Sequence, residues 1–361
     1  MEKGKRVQEK SRNNSENNIP KKRKGLKIFG IIVLILVILL VAIIGFTYFF
    51  VVNKLNKIQR VDLDISQLDI SEEAEQNLTG YRNIALFAID SRSIEDYGEG
   101  NRSDGIIIAS INNETKEVKL VSVYRDTYVQ IEGHGLDKIT HAYSYGEAPL
   151  AISTLNTNLD LNIKEFVTVN FDAVAEAINQ LGGVTITVEP EELQYINSYI
   201  RETSKVTGIN TKEVTKAGTQ VLDGVQAVAY ARIRYTSGGD YKRAERMRTV
   251  VEAAFNKLKT KSLSEINAFA DTILPKIYTN ISTGDILAMV PDLTKYKVSE
   301  SIGWPYETRG ITMNAWYGIP VTLESNVQKL HQELFNEQDY TPTQIVKNIS
   351  NQIINKTGYS N

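Results

Sequence analysis

No cysteine occurs in the 361 residues, so neither a disulfide framework nor a thiolate-held metal site is open to this chain. That absence is compatible with an oxidising compartment without requiring one. An excess of positive charge is missing too, since 41 Lys and Arg stand against 43 Asp and Glu, a formal net charge of -2. General nucleic-acid binders carry a broad positive field, and this balance argues against that class. Only three histidines occur. Neither His134 nor His141 has a partner at metal-ligand spacing, which assigns both to surface or structural roles. Internal repeats and long low-complexity linkers are absent as well. What remains, 42% hydrophobic and 23% charged residues, fits one large or two modest globular domains.

The N-terminus departs from that composition. Residues 1–27 form a polar, basic tail containing Lys21, Lys22, Arg23 and Lys24, and Ile28 to Val52 then runs almost wholly apolar without a charge. Such a run spans a bilayer. The cationic flank, the lack of a small-residue cleavage motif and the aromatic belt of Tyr48, Phe49 and Phe50 predict an uncleaved single-pass anchor. The N-terminus is then cytoplasmic and the remainder outside. Residues 53–80 read as a membrane-proximal stalk with one short helix around Glu72–Leu78.

From residue 81 the pattern alternates strand and helix, which predicts an α/β domain with a central mixed sheet flanked by helices. Strands are expected at 83–90, 106–111, 120–126, 165–170 and 184–188. Helices are expected at 138–145, 149–159, 171–181 and 191–203, a polar loop at 204–216, and a turn at 218–224 leading into a short helix over 225–231. Asp90 closes the first strand and Asp104 opens the second. In open α/β sheets ligands gather outside the carboxyl ends of strands, and two converging carboxylates suit Mg²⁺, which keeps waters and takes further oxygens from substrate phosphates. The plainer reading has Asp90 capping a loop and Asp104 paired with Arg102 on the surface. A third strand delivers Arg125 and Asp126 at its end, and three ionic strand ends favour a composite cation and carboxylate site.

The densest cationic stretch is Tyr230 to Arg248. Arg232 and Arg234, two apart, point the same way on an extended segment, and each guanidinium grips phosphate oxygens with a two-pronged fork. Gly238 and Gly239 permit a turn, and Asp240 suits the N-cap of a helix whose stripe is Ala244, Met247, Val251, Ala254 and Leu258. Arg243 and Arg246 flank that stripe and can lean over a groove edge; a solvated basic face is the bland alternative. Apolar helices such as 173–181 are ordinarily core, although a sheet sandwiched by them can also hold a lipid tail. Beyond about residue 260 no chemical motif occurs. Helices are expected at 263–274, 285–290 and 325–334, and strands at 310–315 and 320–323, so that residues 261–361 complete the domain or append a small lobe.

Six segments in order resemble the LytR-CpsA-Psr family. They are residues 83–92, Arg102 to Asp104, 121–129, 136–143, 181–188, and 222–234 with 239–246. The resemblance places the catalytic domain at about 81–260. It implies an extracytoplasmic, membrane-anchored enzyme of a Gram-positive-type bacterium, with Mg²⁺ as cofactor. Such an enzyme moves an anionic glycopolymer, such as teichoic acid or capsule, from a polyprenyl-diphosphate carrier to peptidoglycan through a phosphodiester. Asp90 and Asp104 match the Mg²⁺ ligands. Arg92, Arg125, Arg232, Arg234 and Arg243 match arginines around the diphosphate, and an apolar tunnel for the polyprenyl tail is implied among the helices. With Arg102 and Met247 added as diphosphate contacts, the candidate catalytic groups are Arg125, Asp126 and Asp240. The proton acceptor stays open among Asp126, Asp240 and Asp90, since a metal-bound carboxylate is a poor base. Three positions depart from the family pattern: Ala88 and Met247 stand where Gly and Gln are usual, and Tyr124 where Pro is usual. A catalytically idle, membrane-tethered lipid or polymer binder with a regulatory role is the alternative.

Overall fold

Near-continuous apolar runs need cover on both faces. The computed structural model, which describes residues 51–89 and 97–360, places them at the centre of a seven-stranded sheet. In chain order, β1 (Gln59–Arg60) precedes α1 (Glu72–Asn77), β2 (Tyr81–Ile89), β3 (Ser103–Asn112), β4 (Glu117–Val123) and a hairpin of β5 (Tyr128–Ile131) and β6 (Gly135–Lys138). There follow α2 (Ile139–Leu159), β7 (Glu165–Asn170), α3 (Phe171–Gln180), β8 (Val184–Val188), α4 (Pro190–Thr207), β9 (Gly218–Leu222), α5 (Gly224–Arg232) and α6 (Gly239–Leu258). Beyond these come α7 (Leu263–Ile273), β10 (Tyr278–Thr279), α8 (Thr283–Met289), β11 (Lys297–Trp304), β12 (Thr308–Thr312), β13 (Trp316–Pro320), α9 (Leu323–Phe335) and α10 (Gln344–Thr357).

The sheet order is β1-β10-β7-β2-β3-β4-β11. It is mixed, with β2 antiparallel to β3 and β3 to β4, while β2 pairs parallel with β7 and β4 with β11. Side chains alternate between its faces. Phe87, Ile89, Ile106, Ile108, Val121 and Val123 enter a core closed by α2, α9 and α10. Ile84, Ile107, Ala109, Ile111, Val118 and Leu120 face the other way, towards Phe255 of α6 and Ile286 and Met289 of α8. A smaller cluster joins α4 and α5 to the β8–β9 ribbon.

The central strands stand where the sequence patterning puts them, and so does the break between the helices expected at 138–145 and 149–159. It is a kink inside α2, where Gly146 and Glu147 leave helical geometry. Elsewhere the structure differs. The expected turn at 218–224 is β9, which finds a partner in β8 that local signals do not reveal, and α4 continues to Thr207 before a left-handed Gly208 ends it. The expected strands at 310–315 and 320–323 are β12 and β13, the latter ending at Pro320, after which Thr322 caps α9. Neither β11 nor α10 was expected.

Segments 53–80 and 261–361 join the same sheet. Within the former, β1 pairs with β10 and both Leu68 and Leu78 are fully buried, so the segment contributes to the core rather than standing off as a stalk. From the latter come β10 and β11. Lys54 to Asn361 accordingly make one unit. The tail at 1–27 and all but the last two residues of the expected span at 28–52 lie outside the described residues. Among the described residues no helix is long and apolar enough to cross a membrane.

Candidate active site

Antiparallel pairing of β2, β3 and β4 sets the end of β4 beside the start of β3. Arg125, just past β4, donates from Nη1 to Asp104 Oδ1 at 2.5 Å. The polypeptide then returns through α5 and α6 to add two more guanidinium groups, with Arg234 and Arg243 at 3.8 and 3.9 Å from Asp104 Oδ2. Asp240 lies 3.1 Å from Arg243 and 3.7 Å from Arg234. Asp126 is held by Lys138 at 2.7 Å and stands 3.6 Å from Arg125. Asp104, Arg125, Arg234 and Arg243 border a cleft of about 620 Å³, whose lining also includes Arg102, Arg232 and Met247, while Asp126 and Asp240 reach it only through these arginines. Asp90 and Arg92 lie outside the described residues.

Burial decides how the cations behave. For Arg125 it acts to lower the guanidinium, and the carboxylates of Asp104, Asp126 and Asp240 outweigh it, so that the cation is stabilised. Arg243 is different. Its side chain is 4% exposed, and burial, with Arg234 and Arg125 nearby, pushes it down to about 10 despite Asp240 and Asp104. Arg243 Nε has no hydrogen-bond partner among the described residues. A desolvated guanidinium with an idle donor is a group short of an anion.

Several local expectations change form. Arg232 is the last residue of α5 rather than part of an extended segment, and it bonds Glu202 at 2.9 Å and Thr203 at 3.1 Å while lying over the Phe171 ring. The N-cap of α6 is Gly238, at φ 84, a conformation that favours glycine. Asp240 sits instead in the first turn, near the positive end of the helix. Arg246 does not lean over a groove. It is buried against Glu192 at 2.6 Å, with Thr236 and the Ile233 carbonyl as further acceptors, which makes it structural.

Behind the charged cleft the lining turns apolar. Phe171 and Met247 border both the cleft and a cavity of about 170 Å³ formed with Ala88, Val228, Ala231 and Val251. Leu86, Val167 and Val251 are shared in turn with a further apolar cavity of about 390 Å³, reaching Phe255, Ile286 and Met289. Met247 thus stands where the polar lining ends. A Cβ on Gly105 would meet its sulfur and the Ala88 Cβ at 3.0 Å, so the bare Gly105 accommodates Ala88 opposite it in the ladder. Tyr124 packs edge-on against Tyr241 at 4.5 Å, and its hydroxyl occupies the space over Gly303 of β11.

The LytR_cpsA_psr family model matches residues 47–334 of this chain. The chain belongs to the LytR-CpsA-Psr family. Among LytR-CpsA-Psr relatives, the polyisoprenyl-teichoic acid--peptidoglycan teichoic acid transferase TagT of Bacillus subtilis is 36% identical over 238 residues, 63% of this chain and 70% of that protein. A solved structure of TagT bound to LIIa-WTA has a TM-score of 0.56 at 27% identity, covering 72% of this chain and 91% of that one. Another, of TagT with bound octaprenyl pyrophosphate lipid, has a TM-score of 0.52 at 26% identity, over 72% and 90%. The central mixed sheet with flanking helices is shared with these LytR-CpsA-Psr structures.

Sequence reasoning missed one feature of α2, the helix whose Ser144 lines the cleft. His141, set aside as structural or surface, has its Nδ1 2.8 Å from Asp137 Oδ2. The i to i+4 spacing was the available signal, but it was weighed only for metal ligation.

Proposed function

We propose that this chain is a membrane-anchored extracytoplasmic transferase that moves an anionic glycopolymer, of the teichoic acid or capsule kind, from a polyprenyl diphosphate to peptidoglycan. The observation that carries this reading is the junction at Met247 of an arginine cleft and an apolar passage. An amphiphile with a doubly charged head and a long hydrocarbon tail is complementary to both halves. TagT, with its printed transferase name and its bound octaprenyl pyrophosphate, supports the same substrate class.

In this reading Arg125, Arg234 and Arg243 hold the diphosphate and neutralise charge growing on the leaving polyprenyl phosphate, the chief task in phosphoryl transfer. Arg232 and Arg102 border the same cleft and supply further cations for the phosphates. Asp104 Oδ1 is occupied by Arg125, whereas Oδ2 lies beyond hydrogen-bond distance of Arg234 and Arg243 and is open to a hard cation. Among the described residues no cluster of three acidic or imidazole side chains could enclose a metal. That donor set fits Mg²⁺ held weakly by Asp104 with Asp90, most of its shell coming from water and phosphate oxygens. When bound, Mg²⁺ supplies further neutralisation of the diphosphate.

The chain purified from membranes is expected to carry a polyprenyl phosphate or diphosphate, detected by native mass spectrometry. Recovery of the folded chain without polyprenyl lipid, even after incubation with the diphosphate, would defeat the reading. For the topology, the apolar run at 28–52 and its basic flank predict that protease added to intact protoplasts digests the domain. Its survival there, with digestion after lysis, would contradict an external location.

A further inference from the structure

The carboxylates in and beside the cleft are engaged by cations: Asp104 by Arg125 at 2.5 Å, Glu202 by Arg232 at 2.9 Å, Asp126 by Lys138 at 2.7 Å and Asp240 by Arg243 at 3.1 Å. Carboxylates whose oxygens are taken up by cations are poorly placed to accept a substrate proton. A proton acceptor of a different kind stands on α2, one turn before Ser144 of the cleft lining. Asp137 of β6 accepts from Tyr145 Oη at 2.8 Å and from the Lys138 N–H at 2.8 Å, and it faces His141 Nδ1 at the same distance. Burial acts to raise the Asp137 carboxyl, but the bonds from His141, Lys138 and Tyr145 outweigh it and hold it below the usual carboxylate range. An ionised carboxylate only accepts hydrogen bonds, so the proton of a neutral His141 sits on Nδ1 and Nε2 keeps its lone pair. Nε2 has no hydrogen-bond partner among the described residues, and the imidazole is partly exposed.

The fold fastens this dyad to the reacting end of the sheet. Thr140 donates from its N–H to the Arg125 carbonyl at 3.1 Å and from its hydroxyl to the Ser103 carbonyl at 2.9 Å. Ser144, one turn beyond His141, lines the cleft itself. Beside it Tyr145, 38% exposed, carries His134 stacked at 4.1 Å, an aromatic surface suited to the apolar face of a sugar ring.

We propose that His141 is the general base of the transfer, accepting the proton of the attacking peptidoglycan hydroxyl, and that Asp137 is its positioning residue. The proposal rests on the transferase reading above. The acceptor oxygen forms a bond to the polymer-side phosphorus as its proton passes to Nε2. The bond from that phosphorus to the bridging oxygen breaks, and polyprenyl phosphate leaves with the electron pair. His141 then returns the proton to water. The imidazole faces Asp137 and the Tyr145 ring; around that pair stand Tyr317 of β13, which faces Asp137, His134 of the hairpin turn and Arg102 ahead of β3, which face Tyr145, and Lys138, whose ammonium is held by Asp126.

The test follows polyprenyl phosphate release by the purified chain from a lipid-diphosphate-linked polymer with a peptidoglycan acceptor, between about pH 5 and 9. Wild type is expected to lose rate below an acid limb of unit slope. His141→Gln should lower kcat by about 10²–10⁴-fold and abolish the limb, with donor affinity and melting temperature unchanged. Added imidazole should restore part of the rate. Asp137→Asn should keep a limb but displace it and lower kcat. If His141→Gln retains the wild-type pH profile, or loses rate equally at every pH with a lowered melting temperature, His141 is structural and the proposal fails. Absence of release by wild type itself would fail the transferase reading, and the proposal with it.

Discussion

Arg243→Ala is expected to lower kcat/KM for the lipid-diphosphate donor by about 10²–10⁴-fold while the chain stays folded. The estimate assumes two charge-assisted hydrogen bonds at roughly 1.5–3 kcal/mol each, converted at about 1.4 kcal/mol per decade. The fold should tolerate the change because burial already outweighs the attraction of Asp240 and Asp104, pushing the Arg243 cation down to about 10. That depression corresponds to on the order of 3 kcal/mol against the charged form, a cost that an anionic head group relieves on binding. Asp240 keeps Arg234 as a partner in the variant. Arg243→Lys should fall between the two, since a point charge lacks the planar fork. Steady-state kinetics with a thermal melt checks this. Wild-type activity in Arg243→Ala would show that the buried guanidinium has no part in binding the head group.

Val251→Trp addresses the other half of the substrate. Val251 of α6 is 36% exposed and borders both apolar cavities, so a larger side chain there closes the passage without overfilling the main core. Each methylene removed from water contributes about 0.8 kcal/mol, so denying burial to a single five-carbon isoprene unit forfeits roughly 4 kcal/mol before any rearrangement. An effect of about 10²-fold or more on long-chain donors is therefore expected. A donor with a tail too short to pass Val251 should be used as well as by wild type. Chain-length profiles of kcat/KM for both proteins give the readout, and an equal loss on short and long tails would mean that the tail lies elsewhere.

The legible parts of this protein are those written in local order. Strand runs such as 106–111 and the ionic residues closing them are contiguous, so Asp104, Arg125 and Asp126 could be placed at strand ends before any fold was known. Partnership was not legible. The spacing of Arg232 and Arg234 assumed an extended segment, but α5 runs to Arg232, and the two reach the cleft by different routes. Arg246 reads like Arg243 in sequence, yet Glu192, some fifty residues earlier, claims it for the core. Strand β11 escaped notice because its polar residues alternate poorly and its parallel partner β4 is remote in sequence. The dyad of Asp137 and His141 lay in plain spacing, but an imidazole shows its role only once its orienting carboxylate and the cleft beside it are both in view.

The central claim is that the arginine cleft turns over a diphosphate rather than merely holding it. The direct measurement incubates the purified chain with a radiolabelled polyprenyl-diphosphate-linked polymer, Mg²⁺ and peptidoglycan, and follows both products. The account predicts polyprenyl phosphate and peptidoglycan-linked polymer in equal amounts, with both formed about 10²–10⁴-fold more slowly by Arg243→Ala. Stoichiometric donor binding with no polyprenyl phosphate released over many hours would contradict it and make the chain a tethered binding protein.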